Sequence, residues 1–205
     1  MATWELAGTA RSDFADMVEA LSDDQLGRQT LCGEWDAKGV LAHLVMFVEL
    51  GAFAFVGQMF KYRFDFDRAW VENAAARHER PTADLLATLR GNATKSAPLP
   101  GFPEALTVAD VAIHTQDVRR PLGLDGALDE RVLRSTLDFL TTAKQAKTLV
   151  DDLPSLDGVH LRATDIDWSH GDGAEVTGTG EAIMMALARR PTIDELSGPG
   201  VDQLR

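Results

Sequence analysis

Residues 36–50 read DAKGVLAHLVMFVEL, and this stretch decides the fold. Its apolar side chains recur at the three- and four-residue spacing of an amphipathic helix. Asp36 stands where a helix N-cap is expected, so the pattern predicts a long helix from Asp36 to about Tyr62. His43 lies in the apolar stripe, on the face that such a helix turns toward the protein core.

Helical periodicity continues on both sides of this stretch. It covers residues 2–21, a region from Asp67 that is interrupted at Pro81 and resumes from Thr82 to about Lys95, residues 107–120 before the breakers Pro121 and Gly123, and residues 129–150. Four or five helices with short connections predict a helical bundle, in which metal and ligand sites usually lie between facing helices.

The pattern changes after Pro154. Val159–Ala163 alternates like a strand, Glu175–Thr179 is rich in residues that favour strands, and Gly171–Gly173 lies between them as a turn. These features predict a β-hairpin. A return to helical periodicity follows it, so the last part of the chain is expected to be a small α+β unit.

The predicted fold is therefore mainly α. We expect residues 1–150 to form the helical bundle and residues 151–205 to form the small α+β domain. A segment as short as the second has little core of its own, so it is expected to pack on the bundle.

Composition excludes several kinds of partner. The 205 residues carry a formal net charge of -12, and their arginines and lysines are scattered among acids instead of forming a basic stripe. Nucleic-acid binding and attraction to an anionic membrane surface are therefore not expected. The longest apolar run, residues 44–56, is interrupted by Glu49 and is shorter than the roughly 20 residues that span a bilayer.

Cysteine content indicates a reducing compartment. Cys32 is the single cysteine, which excludes an intramolecular disulfide, and the first residues lack the basic and apolar regions of a signal peptide. We expect a cytoplasmic protein, monomeric or homodimeric.

Asp110 and His114 make a candidate metal site. Residues four apart lie on one helix face, so their side chains can reach the same point, and His43 on a facing helix could supply a third ligand. Two imidazoles and one carboxylate leave a coordination position open, which is typical of a catalytic site. Two of the three residues also have a structural explanation: Asp110 fits a capping box with Thr107, and His43 fits a core histidine with one hydrogen bond.

Several segments resemble one family. Residues 31–36 read LCGEWD, residues 40–44 read VLAHL, residues 110–123 read DVAIHTQDVRRPLG, and residues 162–173 and 178–182 read RATDIDWSHGDG and GTGEA. They resemble the actinobacterial proteins similar to mycothiol-dependent maleylpyruvate isomerase, within the DinB-like superfamily. The resemblance spans nearly the whole chain.

The resemblance implies a DinB-like four-helix bundle with a small C-terminal domain. It also implies a divalent metal, with zinc expected, on His43, Asp110 and His114. The characterised isomerase has glutamate where this chain has Asp110, so the carboxylate here is one methylene shorter. Asp117, one turn beyond His114, could accept a hydrogen bond there or contact substrate, or could be an exposed helical acid.

The implied activity is that of a metal-dependent transferase or isomerase. Its cofactor would be mycothiol or a similar low-molecular-weight thiol, which a bound metal deprotonates, and its substrate a small electrophile. The alternative is a protein of the same fold that binds a metal or small ligand without turnover.

Three further residues have two interpretations each. Cys32 could be a nucleophile beside His43, but a small core residue is the favoured interpretation. Trp35 and Trp168 could line a pocket or could pack at domain contacts, and the second is favoured.

Overall fold

The computed structural model describes residues 2–33, 35–63, 65–95 and 102–205, so Glu34 of the LCGEWD segment lies outside the described residues. The helices are α1 (Thr3–Glu19), α2 (Asp23–Leu26), α3 (Ala37–Glu49), α4 (Ala52–Lys61), α5 (Phe66–His78), α6 (Thr82–Gly91), α7 (Glu104–Leu122), α8 (Glu130–Thr142), α9 (Ala146–Leu149) and α10 (Gly180–Leu187). The strands are β1 (Val159–Ala163), β2 (Ser169–His170) and β3 (Ala174–Gly178). The prediction of a mainly α fold with a small α+β part is confirmed.

The bundle is organised around α7 and α3. α7 packs against α1 and α8, α3 packs against α5 and α6, and the two central helices also contact each other. Phe14, Leu41, Leu85 and Leu137 come from four different helices and are completely buried. Because α7 is enclosed on most sides, several of its polar side chains are buried as well, which places them away from water unless they find partners.

The prediction of one long helix over residues 36–62 is wrong in one respect, because the segment forms two helices. Asp36 does cap α3, accepting a hydrogen bond of 2.6 Å from the Gly39 backbone N–H. The helix ends at Glu49, since Leu50 has an extended backbone and Gly51 becomes the N-cap of α4. Leu50 is buried in a second hydrophobic cluster with Phe55 of α4, so tertiary packing outweighs the continuous apolar pattern.

The helix predicted over residues 129–150 is also two helices. α8 ends at Thr142, and Ala143 has an extended backbone before the single turn of α9. None of the helices in the described ranges is both long and apolar enough to cross a membrane.

The predicted β-hairpin is wrong. β1 lies between the other two strands and pairs antiparallel with β2 but parallel with β3. The glycines of the predicted turn explain the difference. The chain crosses the start of β1 at these residues, too close to its backbone for a side chain. A Cβ on Gly171 would lie 2.3 Å from the Val159 carbonyl oxygen, and one on Gly173 would lie 2.1 Å from that of Gly158.

Gly173→Ala should therefore destabilise the protein. Gly173 has φ +146° and no room for a methyl group, so we expect the free energy of unfolding to fall by at least about 2 kcal/mol. Gly57→Ala is the matched control, since a Cβ there meets open space within α4, and it should be neutral or stabilising. Urea denaturation measures the stability of both variants. Equal stabilities would contradict the close approach of residue 173 to the Gly158 carbonyl group.

The C-terminal part packs on the bundle. α10 contacts α8 and α7, and buried side chains from both parts of the chain, such as Leu137 and Leu161, belong to one hydrophobic core. The boundary near residue 151 stays a prediction. What matters for function is that the residues after α10 are brought against the second half of α7.

Candidate functional site

The structure brings His43, Asp110 and His114 together between α3 and α7. The Nε2 atom of His43 lies 3.4 Å from Asp110 Oδ1, and the Nε2 atom of His114 lies 3.6 Å from the same oxygen. The rings of the two histidines are 4.9 Å apart. All three residues are buried, with no more than 6% of the surface of any of them exposed.

These spacings fit metal ligands better than hydrogen bonds. An N–H···O hydrogen bond is usually about 2.9–3.0 Å long, shorter than either distance to Asp110. Two ligands at about 2.0–2.1 Å from a tetrahedral zinc ion are about 3.4 Å apart. The ligand atoms of the set all lie within 4.8 Å of one another. Two imidazoles and one carboxylate therefore form a donor set that fits a divalent ion.

The capping-box explanation of Asp110 is wrong. α7 begins at Glu104 with Pro103 at the N-cap, so Thr107 and Asp110 both lie inside the helix. Proline suits a helix start because its missing N–H would have no partner there. The Asp110 carboxylate instead faces the two imidazoles, and the shorter aspartate side chain reaches both of them.

His43 is held mainly by aromatic rings. Trp35 stacks on it with 4.3 Å between ring centroids, and Phe47 meets it edge-on at 5.0 Å. Its Nδ1 atom is buried without a hydrogen-bond partner among the described residues. The rings fix the imidazole plane, and the plane directs Nε2 toward Asp110.

Asp117 is buried, so its interpretation as an exposed helical acid is wrong. His114 Nδ1–H donates a 2.9 Å hydrogen bond to Asp117 Oδ2. Arg190 donates from two nitrogens to the two carboxylate oxygens, at 2.7 and 2.8 Å. A carboxylate on Nδ1 fixes the tautomer of a metal-binding histidine and leaves Nε2 free. The C-terminal part of the chain thus supports a candidate ligand of the bundle through Arg190.

Burial and charge shift the two histidines in opposite directions. Burial, opposed only in part by Asp110, lowers the pKa of His43. Burial also acts to lower the pKa of His114, but the hydrogen bond to Asp117 and the charges of Asp110 and Asp117 outweigh it, and the pKa is raised. His43 is therefore neutral near pH 7, as a ligand must be, and a metal would compete with a proton for His114.

The pKa values of both carboxyl groups are lowered. Burial favours the neutral acid in each, but His43, His114 and Arg11 stabilise the charge of Asp110. Hydrogen bonds from Arg190 and His114 do the same for Asp117. Both groups are therefore ionised at neutral pH, and Asp110 can act as a negatively charged ligand.

The three residues line a cavity of about 770 Å³. Trp35 and Cys32 also line it, so sequence reasoning undervalued both of them. Cys32 is half-buried, and its sulfur lies within 4.8 Å of donor atoms of His114 and Asp117. Trp168 does pack as expected, since it is buried and donates a 2.9 Å hydrogen bond to Asp138. The candidate metal position thus faces a space that could hold a small molecule.

Known proteins match the chain in two ways. A family model described as the mycothiol maleylpyruvate isomerase (MDMPI) N-terminal domain matches residues 7–99. A second model, described as the MDMPI C-terminal domain, matches residues 127–205. His43 and Arg190 lie within the matched segments, whereas Asp110 and His114 lie between them. Comparison with curated proteins found no significant match.

Two solved structures share the fold. A crystal structure of the mycothiol-dependent maleylpyruvate isomerase superposes with a TM-score of 0.62 at 14% identity, covering 96% of this chain and 91% of that one. A histidine-to-alanine mutant of that isomerase gives the same TM-score and coverage at 13% identity. Together the two family models account for most of the sequence, and the chain belongs to the mycothiol maleylpyruvate isomerase family.

Proposed function

We propose that this protein is a metal-dependent enzyme that activates a small thiol for reaction with a small electrophile, as a transferase or an isomerase. The observation that supports this most is the convergence of three buried ligand atoms on the wall of an open cavity. Such a site has room for a thiol or substrate beside three protein ligands, whereas structural zinc sites are closed by four.

In this proposal His43, Asp110 and His114 hold the metal, and zinc suits the donor set. Family membership and the solved structures of a mycothiol-dependent isomerase support mycothiol, or a thiol like it, as the cofactor. A bound divalent metal lowers the pKa of a coordinated thiol, so that the nucleophilic thiolate is present at neutral pH.

The protein contributes position and exclusion of water. Asp117 keeps His114 in the tautomer with its proton on Nδ1, so that the unprotonated Nε2 faces Asp110. Arg190 balances the buried charge of Asp117. Trp35 covers one face of the His43 ring. Because these groups are fixed before a ligand enters, the reacting thiol meets a site that needs little rearrangement.

Thiol activation can be measured directly. The zinc-loaded protein, mixed with mycothiol at neutral pH, should show the ultraviolet absorbance of one thiolate per bound metal, because the metal replaces the thiol proton. Chelation should remove that absorbance, and consumption of an added electrophile should stop with it. Metal-loaded protein that forms no thiolate would overturn the proposal. Thiolate without turnover of a panel of electrophiles would instead support the binding-protein alternative.

A further inference from the structure

One wall of the cavity is aromatic, and it begins at a candidate metal ligand. The ring of Phe47 meets the His43 imidazole edge-on, and Trp70 follows at 5.3 Å from Phe47. Phe102 lines the same cavity. We call Phe47, Trp70 and Phe102 the aromatic wall.

The wall has support behind it but is itself only half-buried. Phe55 is buried and lies 6.0 Å from both Trp70 and Phe102, stacked on the first and edge-on to the second. The three rings of the wall keep part of their surface open to the cavity. Aromatic surface that is fixed from behind and open in front gains free energy when a flat apolar ligand covers it.

The charges around the cavity disfavour an anionic ligand. In the described part of the chain, the lysine or arginine side chains that line it are Arg68 and Arg190. Arg68 donates a 2.8 Å hydrogen bond to Glu72, and Arg190 is bound to Asp117 through two nitrogens. Three acids also line the cavity: Asp65, Asp110 and Asp151. With the charge of a bound divalent ion balanced by Asp110 and the thiolate, or with the metal removed, a ligand carboxylate would meet acids and already paired guanidinium groups.

We propose that the electrophile of this site is an uncharged, flat aromatic molecule that packs against Phe47 and Trp70. The position of the wall beside His43 would hold such a ring next to the thiol. That the ligand reacts as an electrophile rests on the proposed function, but its binding does not, because packing against aromatic rings needs neither metal nor thiol.

Two compounds that share the same ring system and differ in charge test this proposal by binding alone, without turnover. 2-Naphthamide is uncharged at neutral pH, and 2-naphthoate carries one negative charge. Isothermal calorimetry of the chelated protein, which has no metal charge to attract a carboxylate, should show 2-naphthamide binding at least about 10-fold more tightly than 2-naphthoate. Naphthoate affinity equal to or above that of naphthamide in the chelated protein would overturn the proposal.

Substitutions in the wall locate the binding. Trp70→Ala should weaken 2-naphthamide binding about 10-fold, because it removes a large aromatic contact. Phe47→Leu keeps apolar bulk and removes only the ring, so it provides a second reading if Trp70→Ala folds poorly by circular dichroism. Trp4→Ala, a partly exposed tryptophan that does not line the cavity, should leave the affinity unchanged.

Unchanged naphthamide affinity in folded Trp70→Ala and Phe47→Leu would overturn the proposal. Its failure is distinguishable from that of the proposed function. The thiolate absorbance tests the metal and the thiol without any aromatic ligand, and the naphthamide titration tests the wall without a thiol. Either result can fail while the other holds.

Discussion

His43→Ala should remove the metal and the activity together. Asp110 and His114 would remain as two ligands on α7. The ligand from α3 would be missing, so water would occupy its place on the ion. We expect metal affinity to fall by more than about 100-fold, since loss of a ligand exceeds the 10–100-fold effect of losing a group that only supports one. Metal analysis after dialysis, with thiolate absorbance and electrophile consumption on the same sample, measures this result.

The variant should still fold. His43 Nδ1 has no hydrogen-bond partner among the described residues, and the Nε2 contact with Asp110 is long. We expect the metal-free variant to lose only about 1–3 kcal/mol of stability relative to metal-free wild type. His78→Ala is the matched control, since His78 pairs with Asp36 and does not line the cavity. Wild-type metal content in folded His43→Ala would refute the proposed metal site.

The bundle could be predicted from local patterns because its helices bury one apolar face each. Phe14 and Val18 mark that face in α1, and Val40 and Leu44 mark it in α3. The breaks within the predicted long helices could not be found in this way. Leu50 leaves the helix because its side chain packs in a different hydrophobic cluster, and that choice depends on the tertiary structure.

The part of the candidate site that could be predicted is the part that depends on the faces of single helices. Asp110 and His114 are four residues apart, so their shared face follows from helix geometry. His43 is 67 residues from Asp110 and was found because a histidine in an apolar stripe must face the core. Arg190, 73 residues from Asp117, has no such signal, since an arginine just after a helix usually interacts with the helix dipole.

Asp117→Ala should reduce both stability and metal affinity. The side chain of Asp117 is completely buried, and its removal leaves Arg190 without its carboxylate partner and His114 Nδ1 without its acceptor. Breaking a buried pair by removing one partner costs about 3–5 kcal/mol. Loss of the carboxylate behind a histidine ligand should lower metal affinity about 10–100-fold.

The stability difference should depend on pH with a definite sign. The pKa of Asp117 is lowered in the folded protein, where hydrogen bonds from Arg190 and His114 outweigh the effect of burial. A carboxyl group with a lowered folded pKa stabilises above its unfolded value of about 3.9, and that contribution is lost as the pH falls through the folded pKa. Wild type and Asp117→Ala should therefore differ most near neutral pH and converge in acid.

A double variant separates the two roles of Asp117. Asp117→Leu with Arg190→Met replaces the buried ion pair with apolar side chains, which usually restores much of the lost stability. Metal affinity should stay low in the double variant, because His114 Nδ1 still has no acceptor to fix its tautomer. Asp202→Ala, which removes a surface pair with Arg205, should change neither property. Full recovery of metal affinity in the folded double variant would show that Asp117 stabilises the fold without positioning His114.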